Sequence, residues 1–84
     1  MITCQDVIKC LTVITGISEH ELDAQTAIYG SGLVSSLMML ELMAGIEKTY
    51  RIYIRPEELI EDNFANVASL GDFIERKMRE ARHG

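Results

Sequence analysis

Val7, Cys10, Leu11 and Ile14 recur at the spacing of three and four that marks one face of an α-helix, until Gly16 ends the run. Thr3 followed three residues later by Asp6 has the form of a capping box, so the pattern predicts a first helix over residues 4–15. From residue 17 to 34 no period is sustained, and Gly30, Ser31 and Gly32 punctuate the end of this stretch. Leu22, Ile28 and Leu33 are its candidates for pinning a long loop to the core, and a loop of this length needs a reason.

The strongest period runs over residues 36–50. Wound at about 100° per residue, Met39, Leu42, Met43, Ile46 and Tyr50 fall on one arc, the expected buried face, and Ser35 or Ser36 is available as the cap. Arg51 to Ile54 alternate polar and apolar residues, but a lone four-residue strand has no partner, so this reads as an extended connector. Pro56 suits the first turn of a short third helix over residues 56–61, with Glu57 and Glu58 near its N-terminus and Leu59 and Ile60 facing inward. Asn66 caps a last helix over residues 66–80, where Val67, Leu70, Phe73, Ile74 and Met78 share a face and Arg76, Lys77 and Arg79 gather near the end. Residues 80–84 are expected to fray.

The implied fold class is all-α: a four-helix bundle of three longer helices and one short third helix, with a long loop between helices 1 and 2, forming a single domain over residues 1–84. The 84 residues allow one modest core with no evident staple. Cys4 and Cys10 lie about 9 Å apart along one helix and point about 120° away from each other, so they cannot pair. His20 in the loop and His83 in the tail are too few and too scattered for a metal, and none is expected. With no leader-like start and no apolar run near 18 residues, the expectation is a cytoplasmic monomer without a membrane span.

The formal charge is −5; the last ten residues carry four basic and two acidic groups, which leaves −7 on the rest. An acidic body disfavours nucleic acid and favours partners with basic surfaces. Helix 2 adds an anomaly, because Leu37, Leu40 and Ala44 lie opposite its buried arc, interleaved with Glu41, Glu47 and Lys48. A shallow apolar strip rimmed by charge suits a transient docking surface, whereas the bland alternative is a strip covered by the long loop. Just upstream, Gly30-Ser31-Gly32-Leu33-Val34-Ser35-Ser36-Leu37 delivers a serine hydroxyl to a helix N-terminus, where unpaired N–H groups and the helix dipole favour a phosphate.

Gly32 to Leu37, followed by Leu40-Glu41-Leu42, resembles the serine motif and following helix of the acyl carrier protein family, which includes aminoacyl and peptidyl carriers. Gly45 to Tyr50, Ile52 to Glu58, Asp62 to Val67 and Leu70 to Ile74 are similar to that family too, so the resemblance covers nearly the whole chain. It implies that Ser36 receives 4′-phosphopantetheine from coenzyme A through a phosphopantetheinyl transferase, and that the arm's thiol carries an acyl or aminoacyl group as a thioester. It further implies an acyl or aminoacyl ligase or synthase, and acyltransferases, as partners that dock on Leu37, Leu40, Glu41, Ala44, Glu47 and Lys48. Ser35 departs from the family, which usually has aspartate there, and makes a second candidate hydroxyl. Met38 departs from the more acidic helices of fatty-acid carriers, which favours a specialised pathway; fatty acyl, aminoacyl, peptidyl and polyketide cargo all stay open. Met39, Met43 and Met78 would make a core that adapts to cargo, or are plain gap filler.

An enzyme is not expected, because no Gly-x-Ser-x-Gly elbow is present and neither histidine is positioned to serve a serine. An unmodified carrier-like helical adaptor is the alternative that Ser35 supports best.

Overall fold

The computed structural model describes residues 2–83; Gly84 and the side chain of His83, both in the expected tail, lie outside the described residues. Helix α1 spans Cys4–Thr15, α2 Ser36–Tyr50, α3 Glu61–Phe64 and α4 Val67–His83. Single 3₁₀ turns occupy Glu19–Glu21 and Pro56–Glu58.

Local chemistry sets most helix ends. The Thr3 hydroxyl accepts the Asp6 N–H at 3.2 Å while the Asp6 carboxylate accepts the Thr3 N–H at 2.9 Å, closing the capping box of α1. These two hydrogen bonds from Thr3 hold the Asp6 carboxyl below its ordinary range. Gly16 ends the helix at φ 77°, a left-handed turn that glycine adopts without strain. Asn66 accepts the Ser69 N–H at 2.8 Å at the start of α4.

The core draws on every segment. Val7, Ile8 and Leu11 of α1 meet Leu42 and Ile46 of α2 and Val67, Leu70, Phe73 and Ile74 of α4, all of them buried. Met39, Met43, Tyr50 and Met78 are partly buried around this cluster. Each fully buried aliphatic or aromatic side chain contributes about 1.5–3 kcal/mol, which lets a chain of this size hold together without a staple. The Ile2 N–H donates to Glu75 at 2.7 Å, so the start of α1 meets the far half of α4 and the two helices run antiparallel.

The long loop is strapped down by its backbone. Ile28 and Tyr29 donate their N–H groups to the carbonyls of Ala65 and Phe64 at 2.9 and 3.0 Å. In return, Val67 and Ala68 donate to the carbonyls of Thr26 and Ala24 at 3.1 and 3.0 Å. The loop thus satisfies N–H groups at the start of α4 that have no partner within the helix, while Leu22 and Ile28 enter the core.

Two expectations need correction. The segment after Pro56 is a 3₁₀ turn over Pro56–Glu58 followed by α3 over Glu61–Phe64, not one helix over 56–61. Glu58 turns its carboxylate back to the Arg55 N–H at 2.9 Å and its carbonyl accepts the Asn63 side-chain amide at 2.8 Å, so the first turn closes on itself and Ile60 becomes extended. The restart buries Phe64 against Phe73, ring centroids 5.7 Å apart, and leaves Leu59 and Ile60 facing outward rather than inward. The last helix also runs past the expected end at residue 80: α4 spans Val67–His83, and proline and glycine are absent between residues 72 and 83. Of its cations, Arg76 stacks over the Phe73 ring at 5.4 Å, and Lys77 pairs with Glu58 at 2.9 Å.

Candidate functional site

The approach to α2 is built from backbone that only small residues hold easily. Gly30 and Gly32 take φ 74° and 85°, and between them the Ser31 hydroxyl lies 3.0 and 3.1 Å from the carbonyls of Ala27 and Ile28. The same oxygen accepts the Leu33 N–H at 3.1 Å. Leu33 and Val34 then pack partly against the core, which fixes where the helix begins.

At that beginning the two serines separate by task. Ser35 is the N-cap: its hydroxyl accepts the Met38 N–H at 3.2 Å and its carbonyl accepts the Met39 N–H at 2.8 Å. Ser36 is the first residue of the helix, exposed, and among the described residues its hydroxyl has no hydrogen-bond partner. No acidic residue stands in the first turn of α2, so that turn itself does not offset the positive end of the helix dipole. An ester phosphate on Ser36 would meet free N–H groups and that dipole.

Beside Ser36 an open groove of about 460 Å³ runs between α2, the loop and the turn before α3. Tyr29, Val34, Met39, Leu40, Met43 and Leu59 line it, an apolar surface suited to an alkyl or amide chain. Leu37 and Leu40 are 67% and 58% exposed, and Ala44, Glu41 and Lys48 are exposed beside them, so the strip along α2 lies open and the loop does not cover it. Glu47 is less exposed than these. It is half-buried, and its carboxylate accepts the Ile54 N–H at 2.8 Å.

The sequence reading missed Tyr29, Leu59 and Ile60, which add exposed apolar surface at this end of the protein. Tyr29 carried a signal, a large ring beside a glycine turn, whereas Leu59 and Ile60 were hidden by their helix-like spacing. Cys10 sits partly buried between α1 and α2, where burial, with Asp6 adding to it, pushes its thiol up and makes it a poorer nucleophile.

The sequence model of the phosphopantetheine attachment site family matches residues 5–74, which contain both serines, the glycine turn and α2. The chain belongs to this family. The fold is that of acyl carrier proteins: the solution structure of a holo acyl carrier protein from Nitrosomonas europaea superposes with a TM-score of 0.78 at 21% identity, over 94% of this chain and 99% of that one. A comparison with curated proteins finds no match. The cofactor of this attachment domain is 4′-phosphopantetheine. The end of α2 fits that group on its own chemistry, with a free exposed hydroxyl, unpaired helix N–H groups for the phosphate and an apolar groove alongside. Among the described residues no helix is long and apolar enough to cross a membrane.

Proposed function

We propose that Ser36 is the attachment residue and that the protein carries an acyl or aminoacyl group for partner enzymes of a specialised biosynthetic pathway. The observation that carries this reading is the unpartnered, exposed hydroxyl at the first position of α2, set beside a serine already committed as the cap. In the loading step the Ser36 oxygen forms a bond to the phosphorus that bears pantetheine in coenzyme A. The bond from that phosphorus to adenosine 3′,5′-bisphosphate breaks, and the hydroxyl proton passes to a base on a phosphopantetheinyl transferase. Once attached, the arm supplies a terminal thiol that holds cargo as a thioester.

The chain's own residues contribute position and recognition. Ser35 holds the first turn so that Ser36 projects from a fixed point, and the free N–H groups beside it favour the phosphodiester. Leu37, Leu40, Ala44, Glu41 and Lys48 offer partners a small apolar centre with a charged rim, suited to the weak, rapidly released contacts a carrier needs. Ligases, synthases and acyltransferases would share this face in turn.

Intact mass after coexpression with a broad-specificity phosphopantetheinyl transferase tests the reading. A gain of one phosphopantetheinyl group, lost in Ser36→Ala, is expected; an unchanged wild-type mass would favour an unmodified adaptor, and loss in Ser35→Ala alone would move the attachment by one residue.

A further inference from the structure

Between the strapped part of the loop and α2, one side chain makes all the hydrogen bonds. Ala27 forms an antiparallel bridge with Asn66, and Ile28 and Tyr29 donate to the carbonyls of Ala65 and Phe64. Beyond Tyr29, among the described residues, no backbone–backbone hydrogen bond involves residues 30–34, and the next carbonyl engaged is that of the Ser35 cap. Two of those five residues, Gly30 and Gly32, take positive φ. A Cβ on either would meet no atom within 4 Å, so glycine serves there for its backbone angle and not for want of room. The Ser31 hydroxyl spans this gap. It donates towards the carbonyls of Ala27 and Ile28 at 3.0 and 3.1 Å and accepts the Leu33 N–H at 3.1 Å. It thus reaches back to two residues tied to the start of α4 and forward to the residue two before the cap. Ser31 is itself exposed, so these bonds, and not burial, are what its side chain contributes.

We propose that Ser31 is a positioning residue for the transfer reaction, an inference that rests on Ser36 as the attachment residue. By joining the strapped loop to Leu33, its hydroxyl fixes how the first turn of α2 is aimed. That sets the line along which the Ser36 oxygen meets the phosphorus of coenzyme A. Leu33 and Val34 pack partly against the core, but apolar packing is non-directional, whereas hydrogen bonds weaken steeply when misaligned. Packing therefore places the segment and Ser31 aims it. Attack at phosphorus needs the incoming oxygen in line with the leaving group, and a misplacement of about 1 Å costs up to about a hundredfold in rate. A five-residue approach containing two glycines allows such a shift once its bridge is removed. The docking strip begins at Leu37, beyond the turn, so the loss falls on kcat while KM holds.

The test measures transfer from coenzyme A to the whole protein by a broad-specificity phosphopantetheinyl transferase, with the modified serine located by fragmentation of the product. Ser31→Ala is expected to lower kcat about five- to tenfold and to leave KM within about twofold of the wild type. Its melting temperature should stay within about two degrees, as expected for an exposed side chain. Ser31→Thr keeps the hydroxyl and should recover kcat to within about twofold. Hydrogen exchange of the Leu33 amide should quicken in Ser31→Ala and not in Ser31→Thr. With wild-type modification at Ser36 intact, several results would overturn the role of Ser31: an unchanged kcat in Ser31→Ala, no recovery in Ser31→Thr, or a loss carried by KM. A fall in kcat without faster Leu33 exchange would overturn it too, because the hydroxyl would then act on the transferase directly. So would a melting temperature lower by about ten degrees or more, which would make the bridge a support of the whole fold. No mass gain in the wild type, or a gain mapped to Ser35, would instead sink the attachment reading and this inference with it.

Discussion

The Ser35 hydroxyl accepts the N–H of Met38 at 3.2 Å across the first turn of α2. Aspartate and serine are both good helix caps, so the residue found where carrier proteins usually have aspartate still performs the local structural task. What it does not supply is the negative charge. The two adjacent hydroxyls therefore predict opposite phenotypes. Ser35→Ala should lose about 1 kcal/mol of stability, a fall of several degrees in melting temperature for a domain of this size, and keep its phosphopantetheine mass gain. Ser36→Ala should melt within a degree or two of the wild type and show no gain. Thermal denaturation and intact mass on the same two samples separate these outcomes.

Leu37 and Leu42 sit five positions apart on α2 and face opposite ways, 67% and 0% exposed. Leu37→Asp should leave stability within about 0.5 kcal/mol and slow modification by the transferase, read as a rise in KM. Leu42→Ala removes part of the core and should cost about 2–5 kcal/mol. If Leu37→Asp instead unfolds the protein, the strip is structural and the docking role fails.

How much of this was legible in the sequence follows the range of the interactions. The starts of α1, α2 and α4 were readable because Thr3, Ser35 and Asn66 cap within three residues of themselves. The segment from Pro56 to Phe64 was not, because its decisive contacts are distant: Glu58 reaches Lys77, and Phe64 leaves local periodicity to stack on Phe73. The strapping of the loop was equally hidden, since Ile28 and Tyr29 pair through backbone groups that every sequence has. At the site, the serine and the α2 strip were visible as a departure from amphipathic order. The hydrogen bond from the Ile54 N–H to the Glu47 carboxylate was not visible, because it joins α2 to a connector seven residues on.

That contact gives Glu47 a structural task, with a measurable consequence. Glu47→Ala should leave the Ile54 N–H without its acceptor and cost about 1–3 kcal/mol, the penalty for stranding a partly buried donor. Glu47→Gln keeps a side-chain oxygen and should recover about half of the loss or more. Modification of Ser36, compared at a temperature where both variants are folded, should be unaffected. A selective defect in transferase binding with normal stability would return Glu47 to the docking face.

Glu58 gives the pH dependence a sign. Burial pushes its carboxyl up, but the Arg55 N–H, Lys77 and the Arg55 guanidinium outweigh that and hold it at about 2, against an ordinary 4.5. A carboxyl held low in the folded state and normal in the unfolded one adds stability that is complete above the unfolded value. It is lost as pH falls from about 5.5 towards 2, where the folded protein also takes up the proton. With solvent screening allowed for, the contribution is about 1–2 kcal/mol. Urea denaturation at pH 7 and pH 3.5 should show this loss in the wild type. Because Glu58→Gln cannot titrate, it should begin less stable at pH 7 and lose less on acidification. If the variant and the wild type fall in parallel between the two pH values, the Glu58 carboxyl is not held low in the folded protein.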